Sequence, residues 1–296
     1  MALSPMMTHY LETKKAYPDC LLFYRLGDFY EMFFEDARLA SKELELTLTG
    51  KECGLEERAP MCGVPFHAAD SYINRLVKRG YKVAVAEQME DPKLAKGLVK
   101  REVIRVVTPG TVTAAGALEE EKNNYLAAVS EDNGRYGLAF ADISTGSFFV
   151  TEADGRKELG DILAEFRPAE LLKRKNLSLD GCLRHEEELA ISELPDSAFL
   201  RDNAVSLLTE HFRAATTEAL GLSDYPLGTL AAGAALRYLY DTQKNSCELI
   251  TELKAYRGNA YLFIDAASRR NLELTETLRD KNKHGSLLWV LDRTKT

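Results

Sequence analysis

The chain has 296 residues, of which 45% are hydrophobic and 28% charged, and this composition is ordinary for a folded protein of about two domains. Its formal net charge of −8 argues against a globally basic nucleic-acid binder. No apolar run approaches the ~18–20 residues that cross a bilayer, and no basic region followed by an apolar stretch opens the chain. We therefore expect a cytoplasmic protein with no membrane partner.

The cysteines do not form a metal-binding or disulfide pattern. Their number is odd, no CxxC pair occurs, and the histidines are equally scattered; the five are Cys20, Cys53, Cys62, Cys182 and Cys247. Zinc sites and disulfide frameworks need closer, paired spacing. The sequence predicts reduced thiols and no metal site.

An aromatic run near the N-terminus, LLFYRLGDFYEMFF (21–34), holds six aromatic residues and is broken by Gly27-Asp28. Its first part is typical of a buried strand, which follows a short amphipathic helix. After the break, apolar residues recur at steps of three and four, which predicts a helix from about 29 to 46. Asp28 is suited to its N-cap, and Glu31, three residues later, completes a capping-box spacing. The predicted unit is strand, tight turn, helix.

The remaining first part of the chain continues this alternation. A polar loop over 49–59 precedes a helix that opens at Pro65 and ends before Gly80. Two strands follow, YKVAVAEQ and EVIRVVT, separated by a basic loop or short helix. The pattern predicts a small mixed α/β domain over residues 1–108. Residues 109–122 are small, polar and acidic, and we interpret them as a linker.

A second α/β domain is predicted over residues 123–255. It starts with three strands, the first two joined by Asn133-Gly134, which is a strong hairpin signal. Two helices (about 157–166 and 203–219), a short strand near Glu170 and a long helix through LAAGAALRYLYDTQ follow. Residues 256–296 begin with a short strand, YLFID, and continue as a helix, SRRNLELTETLRD.

Few patterns indicate catalysis. No phosphate-binding loop of the Walker type and no GxSxG motif occurs, so the sequence does not predict an enzyme. Asp142 lies in AFADISTGSF, which resembles the first hairpin of ribonuclease-H-like folds, where an Asp helps to hold catalytic metal. Two-metal chemistry needs several converging carboxylates, and only Asp142 has this context. A turn-initiating Asp is the simpler interpretation, and a metal-dependent nuclease stays open as an alternative.

Two features are compatible with DNA binding. Phe29 is not needed for the apolar stripe of the predicted helix, and an exposed Phe beside a carboxylate matches a wedge that enters a base step. The segment from Arg75 to Arg105 has nine basic and four acidic residues, which could contact phosphates or form an ordinary solvated face.

Several motifs together resemble the MutS family of DNA mismatch repair sensors. They occur in the family's order and extend over essentially the whole chain. The motifs are FYRLGDFYEMFFEDA (23–37), APMCGVPFHA (59–68), AEQMEDP (86–92), VIRVVTPGT (103–111), ADISTGSF (141–148) and DAASRRNLELTETL (265–278).

The resemblance implies three parts: a mismatch-binding domain over 1–108, a ribonuclease-H-like connector domain without nuclease activity over 123–255, and the first helical part of an all-α core or lever domain over 256–296. It also implies that the chain stops before the clamp and the ATPase, so that it is truncated and not itself an enzyme. ATP and magnesium are expected for the full-length family, and no cofactor is expected here.

The resemblance also implies site residues and partners. Phe29 would stack on a mispaired or unpaired base from the minor groove, and Glu31 would form a hydrogen bond to it. The expected partners are double-stranded DNA with mismatches or small unpaired loops, a MutL-like protein bound through the connector, and a second MutS subunit. A scaffold that only docks partner proteins stays open as a second alternative, beside the nuclease. Weaker candidates for DNA contact are Leu48, Lys51, Arg75, Lys78, Lys100, Arg101 and Arg105.

Overall fold

The computed structural model contains two six-stranded sheets, each covered by helices. The described residues are 2–90, 97, 99–112, 123–182, 189–244, 247–257, 264, 266–280 and 282–292. Within them, none of the helices is both long and apolar enough to span a bilayer.

The first sheet has the strand order β3-β4-β2-β1-β5-β6. Strands β1 and β5 are parallel, and the other neighbours are antiparallel. The elements are α1 (Pro5–Ala16), β1 (Cys20–Leu26), β2 (Phe29–Phe33), α2 (Phe34–Leu44), β3 (Thr49–Lys51), β4 (Ala59–Pro65), α3 (Ala69–Val77), β5 (Lys82–Gln88) and β6 (Arg101–Val107).

Helices cover both faces of this sheet. Helices α2 and α3 pack on one face against Phe23, Tyr30 and Met32, while α1 packs on the other through Met7 and Tyr10. The side chains of one strand therefore alternate between two apolar cores, because successive residues of a strand point to opposite faces. This arrangement explains why the run 21–34 is rich in aromatic residues throughout.

Residues 29–33 form a strand, so the prediction of a helix from about residue 29 was wrong. Strand β2 pairs with β1 on one side and with β4 on the other, and Leu26 lies opposite Phe29. Gly27, with φ of +57°, and Asp28 form the two-residue turn. The helical spacing after the turn was a weak local signal, and pairing on both sides of β2 overrides it.

Helix α2 therefore starts at Phe34, and its cap differs from the predicted one. Asp28 caps no helix, Glu31 lies within β2, and Phe33 at the N-cap position makes no side-chain cap hydrogen bond. Strand β3 takes up the first three residues of the region predicted as polar loop, residues 52–58 are irregular, and β4 extends from Ala59 to Pro65. The next helix, α3, begins after a 3₁₀ turn at 66–68.

The second sheet has the strand order β11-β10-β7-β8-β9-β12. Strands β7, β8 and β9 are antiparallel neighbours, and β10, β11 and β12 add in parallel at the edges. The elements are β7 (Leu126–Asp132), β8 (Arg135–Asp142), β9 (Ser147–Ala153), α4 (Arg156–Phe166), β10 (Glu170–Arg174), β11 (Ala190–Leu194), α5 (Arg201–His211), α6 (Pro226–Gln243) and β12 (Lys254–Ala255).

Sequence reasoning identified most of this second unit. The three strands, the Asn133-Gly134 turn with both residues at positive φ, and the long helix α6 are present. Strand β11 was missed, and the helix predicted over 203–219 ends at His211. After residue 256 the described residues include two short helices, α7 (Ala266–Asn271) and α8 (Leu287–Leu291). The predicted strand YLFID lies almost entirely outside the described residues. The all-α core stays a prediction.

A buried carboxylate connects the end of the first unit to the second. Glu170 is 0% exposed; its Oε2 accepts hydrogen bonds from Thr108 Oγ1 (2.5 Å) and from the backbone N–H of Gly110 (3.1 Å). Its Oε1 accepts from Ser192 Oγ (2.5 Å) and Tyr238 OH (2.7 Å). Burial, followed by the Glu170 charge, raises the pKa of Tyr238, so this phenol stays a donor.

The start of the predicted linker is consequently fixed in place. Residues 109–111 form a 3₁₀ turn, Gly110, Thr111 and Val112 are buried, and the Lys82 Nζ of β5 lies 3.9 Å from Glu170 Oε1. Residues 113–122 lie outside the described residues. The first sheet and the second are thus joined by polar contacts as well as by the chain.

Glu170→Gln should lower the free energy of unfolding by about 2–4 kcal/mol, because the amide nitrogen cannot accept the hydrogen bonds that reach one carboxylate oxygen. Urea denaturation followed by circular dichroism measures the loss. Glu193→Gln, on the adjacent strand β11, is the matched control, since that side chain is 48% exposed and pairs with Lys173. The control should change stability by about 0.5 kcal/mol or less. Equal stability of the two variants would contradict the assigned role of Glu170.

Candidate nucleic-acid interface

Phe29 is an exposed aromatic residue on a strand that is fixed on both sides. It begins β2, directly after the turn, opposite Leu26 of β1 and Pro65 of β4. Its side chain is 46% exposed. By strand alternation Phe29 shares a face with Phe33, which is 1% exposed and packs under α1 against Tyr10. Phe29 thus continues this apolar face at the hairpin end of the sheet.

Glu31 lies between these two residues on the same face. It is paired in register with Tyr24 of β1 and Gly63 of β4. Its Oε2 is 2.5 Å from the Lys51 Nζ of β3, and the side chains are 15% and 33% exposed, respectively. The structure therefore brings together three of the predicted site residues: Phe29, Glu31 and Lys51.

Polar and aromatic contacts brace the turn from the opposite face. Arg25 donates from Nε to the carbonyl oxygen of Gly27 (2.5 Å) and from Nη1 to Glu87 Oε2 (3.3 Å). Tyr30 OH also donates to Glu87 Oε2 (2.6 Å), and burial together with this carboxylate raises the pKa of Tyr30 to about 12. The Arg25 guanidinium lies 4.0 Å from the centre of the Phe66 ring.

Sequence reasoning missed Arg25 and Phe66 as part of this region. Phe66 is 43% exposed, and its backbone N–H donates to the carbonyl oxygen of Asp28, so it adjoins the turn. The available signal was position: Arg25 immediately precedes the break, and Phe66 follows Pro65 in a motif of the family resemblance. Only the pairing of β2 with β4 shows that these two segments meet.

Arg101 lies near the face of the sheet that carries Phe29, but it is not a free cation. It is 7% exposed; its Nε donates to the carbonyl oxygen of Arg25 (2.7 Å) and its Nη1 to that of Val99 (2.7 Å). The guanidinium lies 5.2 Å from the centre of the Tyr24 ring. Arg101 thus connects β6 to the strand that precedes the turn. Its position favours a structural role in this DNA-free chain.

The other predicted basic residues do not form one patch with Phe29. Arg75 and Lys78 are exposed on or just after α3, which covers the opposite face of the sheet. Arg105 pairs with Asp70 at the start of α3 (2.6 Å), and Lys100 pairs with Glu102 (2.6 Å).

Leu48 is 44% exposed just before β3, at the opposite end of that strand from Lys51. The remaining described basic residues of the segment 75–105, Arg79 and Lys82, also lie apart from Phe29, each near a carboxylate. Arg79 pairs with Glu43, Lys82 lies near Glu170, and Lys93 and Lys96 lie outside the described residues. The described basic residues of this segment thus do not form one positively charged surface patch, although they are close together in sequence.

Asp142 has the geometry of a turn residue. It is 0% exposed; Oδ1 accepts from the backbone N–H (2.8 Å) and the hydroxyl (2.6 Å) of Ser144, and Oδ2 accepts from the Asn124 N–H (3.1 Å). Across the described residues, no group of three or more His, Cys, Asp or Glu side chains is placed to hold a metal ion. These contacts favour the turn interpretation over the nuclease alternative.

The cysteine thiols are placed poorly for nucleophilic catalysis. All five are buried, and none forms a disulfide. Burial raises the pKa of Cys20 to about 11 and that of Cys62 to about 11, so both stay protonated at neutral pH. Reactive thiols need the opposite environment.

Comparison with known proteins gives a consistent result for both sheets. The family model described as MutS domain I matches residues 4–116, and that described as MutS domain II matches residues 124–254. The chain is 53% identical over 298 residues to the DNA mismatch repair protein MutS of Lachnoclostridium phytofermentans, covering 99% of this chain and 32% of that protein.

Other relatives agree. The protein of the same name from Ruminiclostridium cellulolyticum is 52% identical, with 99% of this chain and 34% of the relative covered. That from Acetivibrio thermocellus is 50% identical, with 100% and 34% covered. The chain spans about a third of the length of the curated relatives that it matches.

Phe29→Ala should leave the fold intact, whereas Phe33→Ala on the same strand and face should not. Phe29→Ala should lower the free energy of unfolding by about 1 kcal/mol or less, because the Phe29 side chain is half exposed. Phe33→Ala should lower it by about 3–5 kcal/mol, because removal of the buried ring leaves a cavity beneath α1. Urea denaturation of the two variants measures the difference. A large loss in Phe29→Ala would mean that Phe29 is a core residue and not a free surface group.

Proposed function

The chain belongs to the MutS family, and we propose that its first sheet probes double-stranded DNA for mismatches and small unpaired loops. In this proposal Phe29 is a wedge that enters a base step from the minor groove and stacks on a mispaired or unpaired base. Glu31 accepts a hydrogen bond from that base. The observation that carries the proposal is an exposed Phe next to a carboxylate on a strand held on both sides.

The geometry suits a wedge because Phe29 can press against DNA without distorting the strand and the turn that hold it. Strand β2 is an inner strand, and the turn before it is held by Arg25 and by the Phe66 N–H. Apolar side chains that unstack a base step occur in other minor-groove binders, where the bent duplex wraps more protein surface and so offsets the cost of unstacking. A mispaired step costs less to unstack and kink than a paired one, so such a wedge discriminates by deformability.

The free energy of stacking is large enough to distinguish a mismatched from a matched duplex. Stacking of a base on an aromatic side chain contributes about 1–3 kcal/mol. Phosphate contacts would then position the chain without carrying sequence information. Since several of the predicted cations are paired with carboxylates or lie on the opposite face, we expect weak, salt-sensitive binding by this chain.

We propose that the second unit is a ribonuclease-H-like connector domain that docks a MutL-like protein. Its order of three antiparallel strands, β7 to β9, followed by the parallel β10 and β11 supports that fold, and the hydrogen bonds of Asp142 support a non-catalytic role. Matching domains I and II, the chain is not the ATPase part of the family. We assign the binding of ATP and magnesium, and pairing with a second MutS subunit, to the remainder of the longer family proteins. We also propose that the whole protein is cytoplasmic.

Phe29→Ala should abolish the preference for mismatched DNA, because the stacking that distinguishes the two duplexes is lost. Fluorescence anisotropy with a labelled duplex containing one G·T mispair, and with the matched G·C duplex, measures the ratio of affinities at two salt concentrations. The expected loss is about 5- to 150-fold, the equivalent of one stacked base at about 1–3 kcal/mol.

The control variant for this experiment is Leu200→Ala, which removes a 53% exposed apolar side chain from the second unit. It should keep the full preference. A preference that survives in Phe29→Ala would disprove the wedge, and magnesium-dependent cleavage that disappears in Asp142→Asn would instead support the nuclease alternative.

A further inference from the structure

The ion pair of Glu31 with Lys51 reaches across a strand. Glu31 is on β2 and Lys51 on the edge strand β3, with β4 between them. The residue of β4 opposite Glu31 is Gly63, where a Cβ would lie 3.4 Å from Glu31 Cγ and 3.3 Å from the Tyr30 carbonyl oxygen. Because glycine has no side chain here, the surface beside Glu31 is open and the Lys51 ammonium can cover it.

Lys51 is held in a way that allows it to change partner. Its side chain is 33% exposed, its ammonium bonds to Glu31 Oε2, and it lies 5.7 Å from the centre of the Phe33 ring. Arg101 differs, because it is buried and donates from two nitrogens to backbone carbonyls. A lysine ammonium is a compact charge on a flexible stem, which suits an exchange of partners.

The Lys51 ammonium, and not the Lys51 backbone, lies close to Phe29. Lys51 pairs with Ala59 of β4, six residues along that strand from Pro65, which pairs with Phe29, and its side chain extends back to Glu31. Neighbouring strands are about 4.8 Å apart, so β3 lies about 10 Å from β2. The minor groove is about 6 Å wide. Because the ammonium bonds to Glu31, which lies two residues and about 7 Å along the same strand face from Phe29, it is within reach of the sugar–phosphate backbone that flanks a groove into which Phe29 is inserted.

On the basis of the proposed function, we propose that Lys51 exchanges partners during mismatch recognition. In the DNA-free chain it neutralises the Glu31 carboxylate. When Phe29 enters a mispaired step, Lys51 binds a backbone phosphate and leaves Glu31 to the base. On a matched duplex Phe29 does not enter, and the ion pair persists. Lys51 is thus a positioning residue that links phosphate binding to insertion of the wedge.

The exchange predicts a specific pattern of salt dependence. The slope of log K against log salt changes by about 0.9 for each phosphate contact. Lys51→Met should therefore make binding to the G·T duplex less salt-dependent by about 0.9 and leave the slope for the matched duplex unchanged. Glu31→Gln frees Lys51, so it should tighten binding to the matched duplex and steepen its slope by about the same amount. Adding Lys51→Met to Glu31→Gln should reverse both changes.

Fluorescence anisotropy over a series of KCl concentrations, with the full 296-residue chain and the two labelled duplexes, measures the slope of each variant on each duplex. Lys51→Met keeps the aliphatic stem of the side chain, and Lys51→Arg keeps the charge and should retain the wild-type slopes. Circular dichroism of each variant verifies that it is folded, and Lys51→Arg compared with Glu31→Gln supplies the test if Lys51→Met does not fold.

The outcomes separate the inference from the proposed function. An unchanged G·T slope in Lys51→Met, an equal decrease on both duplexes, or a tighter matched complex that survives in the double variant would overturn the exchange, even while Phe29→Ala still loses its preference. If the unaltered chain binds both duplexes equally, or neither, the proposed function fails and the exchange fails with it.

Discussion

The two-residue turn at Gly27-Asp28 is the constraint on which the candidate interface depends. A turn of this length fixes the register of β2 against β1, and every side chain of β2 is then assigned to one face or the other. A shift of one residue would direct Phe29 and Glu31 toward α2 and α3 and bring Tyr30 to the opposite face. The break in the aromatic run is therefore what allows one strand to contribute to two cores and to present one exposed ring.

The same turn explains why the interface combines few charges with one apolar group. The face that carries Phe29 is mostly committed to packing under α1, and its nearby cations already have partners in Glu31 and in backbone carbonyls. If this surface probes DNA as proposed, recognition would depend mainly on shape and on the ease of deforming DNA, with the Glu31–Lys51 pair adjusting the electrostatics. The net charge of −8 is consistent with this balance.

Sequence reasoning identified the strands and helices whose signals are local, such as β1, the Asn133-Gly134 hairpin and α6. It failed at β2, because spacings of three and four after Gly27-Asp28 are also compatible with a strand buried on both faces. The pairing of Glu31 with Lys51 could not be predicted, since the two are joined only through β4, a strand that the polar loop before it concealed. The Glu170 contacts likewise combine residues that are distant in sequence.

The inner position of β2 has a mechanical consequence. A ring that separates two stacked bases experiences a restoring force, and a side chain on a frayed edge or a long loop would yield to it. In the proposed recognition, the load on Phe29 would pass into a backbone bonded to β1 and β4, and from β1 through β5 and β6 to the residues that contact Glu170. The deformation would consequently be confined to the softer body, which is the duplex, and the proposed wedge would respond to the stiffness of the duplex at each base step.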